Sequence, residues 1–120
     1  MESFYDRTEL LLGKEKVKKL STARIAVFGI GGVGGFAFES LVRCGIKNID
    51  VFDGDTVKPS NLNRQIIATN QTLKKIKLTS LLVGLNLSIP KVILGRLTFF
   101  IRWKMRTIII LANMITLLML

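Results

Sequence analysis

The chain has no histidine and a single cysteine, Cys44. A His/Cys metal cage and any Ser-His-Asp or Cys-His triad are therefore excluded. An intramolecular disulfide is excluded as well, and a lone thiol fits a reducing cytoplasm. Acid is scarce in a patterned way. All eight Asp and Glu lie before Thr56: residues 1–73 carry 10 Lys and Arg against those 8 acids, whereas residues 74–120 carry 8 Lys and Arg and no acid. The net charge of +10 thus sits mostly in the second stretch, although a folded surface ordinarily intersperses both signs. No run reaches the ~20 apolar residues that cross a bilayer; the apolar stretch Ile108–Leu120 is 13 residues long, and the basic run Arg102–Arg106 blocks its extension upstream. The N-terminus carries acids early and has no apolar core before a small-residue cleavage site, so it does not read as a secretory leader.

What is present divides near Lys74. At 120 residues the chain is about one domain long. Residues 4–23 suggest two short amphipathic helices broken at Gly13, with Leu10, Leu11, Val17 and Leu20 as the apolar face. Arg24–Phe28 (RIAVF) is a short apolar run that suits a buried parallel strand. Val33–Arg43 reads as a helix with Phe36, Ala37, Ser40 and Leu41 turned to the sheet, ended by Gly45, and Ile49–Phe52 (IDVF) as a second strand. The expected fold is α/β: N-terminal helices, then a βαβ start of a Rossmann-like parallel sheet that is incomplete at the C-terminus. Cys44, on the first helix of that unit, reads as a small buried apolar residue rather than a nucleophile.

The turn between strand and helix, GIGGVGG, carries the chemistry. Gly29, Gly31 and Gly34 fit G-x-G-x-x-G, which supplies a tight turn, close backbone approach to a phosphate, and close packing of helix on strand. The helix N-terminus adds free N–H groups and the positive end of the helix dipole. Asp53 ends the second strand, where an acid can hold ribose hydroxyls. Asp55 follows, then Ser60-Asn61-Leu62-Asn63-Arg64-Gln65, a polar run in which Arg64 offers a planar fork to a triphosphate. On the residues alone this run is equally well a solvated loop, and the turn serves NAD or ATP.

GIGGVGG, then D-x-D-T-V-x-x-S-N-L-N-R-Q, then T-N-Q-T-L-K resembles the ThiF/HesA/MoeB superfamily, the ATP-dependent adenylating fold shared with ubiquitin-activating enzymes. The N-terminal F-x-x-R-T-E-L-L-x-G and the glycine-turn helix resemble more closely its branch of tRNA threonylcarbamoyladenosine dehydratases, over about Phe4 to Leu73. The resemblance implies ATP as the nucleotide, Mg2+ with it, tRNA as substrate, a homodimer and a sulfur-transfer partner. It implies that Gly32 and its neighbours line the phosphate turn, that Asp53 binds the ribose, and that Asn61, Asn63 and Arg64 face the triphosphate. Lys77 falls at the family's phosphate-binding lysine, and Arg7 reaches into the partner's site.

The resemblance stops in the acid-free stretch, where the family continues with an acid-containing helix and a strand like Y-D-Y-V-V-D-A-I-D whose later Asp serves ATP and magnesium. Residues 1–76 are thus expected to be the nucleotide-binding part of a ThiF-type domain, and 77–120 a degenerate basic and apolar tail with irregular packing. Reading 101–120 two bases out of frame permits YKMENENNYYFSKYDYIIDA, with a Glu forced at Trp103–Lys104 and an Asp at Met114–Ile115. A similar shift of KLTSLLVGLNLSIP allows VDVFISRVKSINP. The expectation is a frame-shifted dehydratase fragment, cytoplasmic and inactive alone, with the magnesium-binding acid missing and no metal site. The alternatives are an NAD-binding redox module and a small tail-anchored membrane-associated protein.

Overall fold

The computed structural model describes residues 2–89, 96–100 and 116–119. Two helices come first, α1 (Asp6–Leu12) and α2 (Lys14–Thr22), broken at Gly13, whose φ of +84° suits a residue without a Cβ. Strand β1 (Arg24–Phe28) runs through the glycine turn into α3 (Gly34–Arg43), and β2 (Asn48–Phe52) follows. A 3-10 turn at Pro59–Asn61 precedes α4 (Lys77–Ser88), β3 (Arg96–Phe100) and β4 (Thr116–Met119).

The four strands make one parallel sheet in the order β3-β2-β1-β4. Strands β1 and β2 pair Ile25 with Ile49 and Val27 with Val51, and the two-residue period of a strand puts all four side chains on one face. Phe38 and Val42 of α3 and Leu78, Leu81 and Leu85 of α4 join them in the core. The expected Rossmann-like α/β start is therefore present, with Gly31 and Gly32 in the connection rather than inside an element.

Four expectations are corrected. Helix α3 turns Gly34, Gly35, Phe38 and Val42 inward, while Phe36 and Ser40 are exposed. The helix carries two competing apolar stripes, and close packing at its glycines sets the phase. A Cβ on Gly35 would come within 3.0 Å of the Ile66 side chain, so that position faces inward and Phe38 follows about one turn later. In α1, Leu10 and Leu11 are exposed, and only Val17 of the expected N-terminal apolar face is buried, with Leu20 half-buried. Cys44 is exposed at the C-cap of α3, where the chain is already leaving the sheet.

Residues 77–88, expected to pack irregularly, form a regular helix because Leu78, Leu81 and Leu85 recur at helical spacing and the core receives them. The basic run 102–106 and the apolar stretch 108–120, apart from 116–119, lie outside the described residues, as does most of the frame-shifted reading of 101–120. No helix among the described residues is long and apolar enough to cross a membrane.

Candidate functional site

The site is built where β1 and β2 end side by side. Gly29 follows β1 with φ +84° and donates its N–H to the carbonyl of Phe52 at 2.7 Å. One residue on, the N–H of Ile30 donates to Asp53 Oδ2 at 2.9 Å, and Asp53 Oδ1 accepts the N–H of Asp55 at 2.8 Å. Asp53 is 7% exposed, so both its oxygens are committed to a buried clamp across the strand ends. Its place beside the glycine turn is the one expected of it. Its visible work is to hold that turn against the loop after β2, and its remaining lone pairs are what a ribose hydroxyl would use.

Behind the turn, residues 54–77 fold back on themselves. Val57 donates to the Lys75 carbonyl and Lys74 to that of Val57, both at 2.9 Å; Thr56 pairs with Ile76, and Lys77 donates its N–H to the Asp55 carbonyl at 3.0 Å. Thr72, buried, locks the tip by donating to the Ile67 carbonyl at 2.8 Å and accepting the Thr69 N–H at 2.8 Å. These closures bring Lys77, at the start of α4, to Asp55: Nζ lies 3.6 Å from Oδ2 with the lysine side chain 8% exposed. The Thr56 N–H donated to Asp55 Oδ1 holds the Asp55 carboxyl below its ordinary pKa of 3.8, helped by the nearby Lys77 and Lys58 and opposed by partial burial.

The polar run from Ser60 to Gln65, which begins within the 3-10 turn, splits into buried and exposed groups. Asn61 is buried; its Oδ1 accepts the Lys58 N–H at 2.9 Å and its carbonyl accepts the Gln65 N–H at 2.9 Å. It shapes the loop. Arg64 lies across the glycine turn: a Cβ on Gly32 would sit 3.4 Å from Arg64 Cγ. Its exposed guanidinium donates from Nη1 to the Ser60 carbonyl at 3.0 Å and to Asn63 Oδ1 at 3.1 Å. The structure thus brings together Gly29, Gly31, Gly32, Gly34, Asp53 and Arg64, with Ser60 and Asn63 as supports of Arg64 and Asp55–Lys77 as a neighbouring pair.

Arg7 is not part of this cluster. It is exposed on α1, near Tyr5, whose ring packs on Gly45 past the far end of α3 from the turn. Two residues were not singled out from the sequence, Gly35 and Gln65. A Cβ at Gly35 would meet Ile66, a tight approach that a second glycine beside the motif signals. Gln65 is buried against Gly31, hidden within a run of polar residues. Among the described residues, no group of three or more His, Cys, Asp or Glu side chains could hold a metal ion.

A parallel sheet with a glycine turn leading into a helix N-terminus, and an acid at the end of the next strand, defines a nucleotide-binding protein of the Rossmann-like class. The ThiF family model matches residues 5–109, and the chain belongs to the ThiF family. It is 42% identical over 73 residues to the tRNA threonylcarbamoyladenosine dehydratase of Bacillus subtilis (strain 168), a match covering 61% of this chain and 29% of that protein. It is 39% identical over 77 residues to the sulfur carrier protein ThiS adenylyltransferase of the same strain, covering 62% and 23%. The Escherichia coli tRNA N6-threonylcarbamoyladenosine dehydratase, solved in complex with ATP, superposes with a TM-score of 0.73 at 31% identity, over 82% of this chain and 40% of that one. The chain spans well under half the length of each of these relatives.

Proposed function

We propose that this chain binds ATP at the glycine turn and forms the nucleotide half of an ATP-dependent adenylating enzyme acting on threonylcarbamoyladenosine in tRNA. The observation that carries this reading is the Asp53 clamp, which fixes Ile30 N–H and leaves the glycine turn and the α3 N-terminus facing Arg64. A cationic fork across a glycine turn suits a polyphosphate better than the single pyrophosphate bridge of NAD. The ATP complex of the related E. coli enzyme supports the same choice.

In this reading Arg64 leaves Ser60 and Asn63 to meet the phosphates, Asp53 holds the ribose, and Lys77 adds positive charge at the start of α4. Adenylation asks mainly for positioning and charge neutralisation at the α-phosphate, which these groups supply. Asp53 is bonded to the turn and Asp55 to Asp53, and one is clamped while the other is ion-paired. Neither is set out as a magnesium ligand, and no Asp or Glu follows Asp55. The chain by itself is therefore expected not to turn over. Exposed Val33, Phe36, Leu62 and Ile66 around the turn, with Leu10 and Leu11 on α1, support a homodimer in which Arg7 serves the partner's site.

The test is calorimetric titration with ATP and with NAD, on the unaltered chain and on Arg64→Ala. ATP should bind more tightly than NAD, and Arg64→Ala should weaken ATP by about 1.5–3 kcal/mol, the scale of a hydrogen bond to a charged group. Equal affinity for ATP in both chains removes the triphosphate role. Pyrophosphate release from ATP with threonylcarbamoyl-modified tRNA by this chain alone would overturn the expectation of inactivity.

A further inference from the structure

Resting on the nucleotide reading above, we infer that Lys58, Lys74 and Lys75 form a docking surface for the phosphate backbone of the RNA substrate. Residues 54–77 carry five cations, Lys58, Arg64, Lys74, Lys75 and Lys77, against one acid, Asp55. The backbone gathers three of them at one point. Val57 donates its N–H to the Lys75 carbonyl and accepts that of Lys74, both at 2.9 Å, and Lys58 is the next residue along. All three lysines are exposed. Asp55 does little to neutralise them, since Lys77 shares it and Lys58 Nζ stands 3.7 Å away in an exposed pair. Among the described residues, Lys74 and Lys75 pair with no acid.

Lys74 is held against its own backbone preference. Its φ is +66°, and among the described residues no other residue besides glycine has a positive φ. A Cβ is disfavoured in that left-handed region, and glycine sits there freely. For folding alone, glycine is the better residue at 74, and gathering like charges around it adds repulsion. A strained lysine in an uncompensated cluster points to a use for its charge. Position says which use. The loop that carries the cluster leaves the end of β2, where Asp53 ties Asp55 and the glycine turn together. The other run of lysines, Lys14, Lys16, Lys18 and Lys19 on α2, leads instead into the start of β1, the opposite end of that strand. An RNA backbone carries a phosphate at every nucleotide, so a cluster of exposed cations holds it without reading its sequence and leaves the base to the nucleotide site.

The experiment follows the fluorescence anisotropy of a labelled, unmodified tRNA transcript over a range of salt, with an ATP titration and a thermal melt of each chain. The chains are the unaltered one, Lys74→Gly, Lys58→Gln with Lys75→Gln, and Lys16→Gln with Lys18→Gln as a charge-matched control on α2. Lys74→Gly should melt at the same or a higher temperature, keep its ATP affinity, and bind tRNA about fivefold more weakly at about 0.15 M salt, the worth of one phosphate contact. The slope of log affinity against log salt should flatten by about one for each lysine removed from the loop, and should not change in the α2 control. An unchanged slope in both loop variants overturns the proposal. So does an equal loss in the α2 control, the mark of a diffuse net-charge effect. A lower melting temperature in Lys74→Gly overturns it too, because lysine is then the better residue for the fold. Capture of phosphatidylserine vesicles that is lost in loop variants still binding tRNA normally assigns the surface to a membrane and overturns it. The nucleotide reading fails separately: a chain that binds tRNA through these lysines but binds no ATP keeps the surface and loses the nucleotide.

Discussion

Helices α1 and α4 carry leucines at comparable density, yet α1 buries none of its seven residues while α4 buries five of twelve, among them Leu78, Leu81 and Leu85. Anchoring, more than leucine content, separates them. Helix α4 is tied at its start by Lys77 N–H to the Asp55 carbonyl and closes on buried Ile89, so its leucines are delivered to the β1–β2 face. Helix α1 ends at Gly13, where the chain turns away, and Leu10 and Leu11 remain 81% and 83% exposed. One helix completes the core, and the other offers an apolar surface outward.

The largest test of that difference is truncation of each helix's leucines. Leu85→Ala removes a side chain 1% exposed and should cost about 2–5 kcal/mol in denaturant unfolding. Leu10→Ser with Leu11→Ser should change monomer stability by no more than about 0.5 kcal/mol and, if α1 covers a second copy, lower the association measured by sedimentation. Equal destabilisation by the two changes would break the comparison.

A second contrast lies within three residues. Asp53 is buried and clamps two backbone N–H groups, whereas Asp55 is half exposed and ion-paired. Asp53→Ala leaves the N–H of fully buried Ile30 without its acceptor and should cost about 1–3 kcal/mol. Asp53→Asn keeps one acceptor oxygen and should cost less. Urea unfolding of the two variants checks the order, and an Asp53→Ala chain as stable as the unaltered one would detach the clamp from the fold.

The strands, the turn and the acid after β2 were legible because each rests on local rules: a short apolar run, a glycine where φ is positive, and an acid one residue past a strand. The phase of α3 was not, since Phe36 and Phe38 are equally apolar and the choice is made by the contact between Gly35 and Ile66, 31 residues apart. The packing of α4 was missed for a related reason. Charge composition marks residues 74–120 as foreign to a mixed surface, but α4 contributes its apolar side chains to a core that is indifferent to charge elsewhere. Of the candidate site, Asp53 and Arg64 were named from the sequence by chemical type, and both lie beside the glycine turn. Gln65 was not, because burial that leaves a side-chain oxygen unpaired has no sequence signature.

The smallest expected effect belongs to Asp55. Its carboxyl titrates below its ordinary 3.8 because the Thr56 N–H, and then Lys77 and Lys58, favour the ionised form. A group whose folded pKa is depressed stabilises the fold above its unfolded pKa and loses that contribution as pH falls through the folded value. Melting temperature should therefore be insensitive to Asp55 near neutrality and decline below about pH 4 partly through this group. Asp55→Asn should flatten that acid limb slightly. The effect is small because the carboxylate is 54% exposed and its lysine partners stand at 3.6 and 3.7 Å, where solvent screens most of the attraction. An acid limb of unchanged slope in Asp55→Asn would show that the pair with Lys77 contributes nothing to holding the start of α4, and that the backbone bond from Lys77 N–H to the Asp55 carbonyl anchors the helix without it.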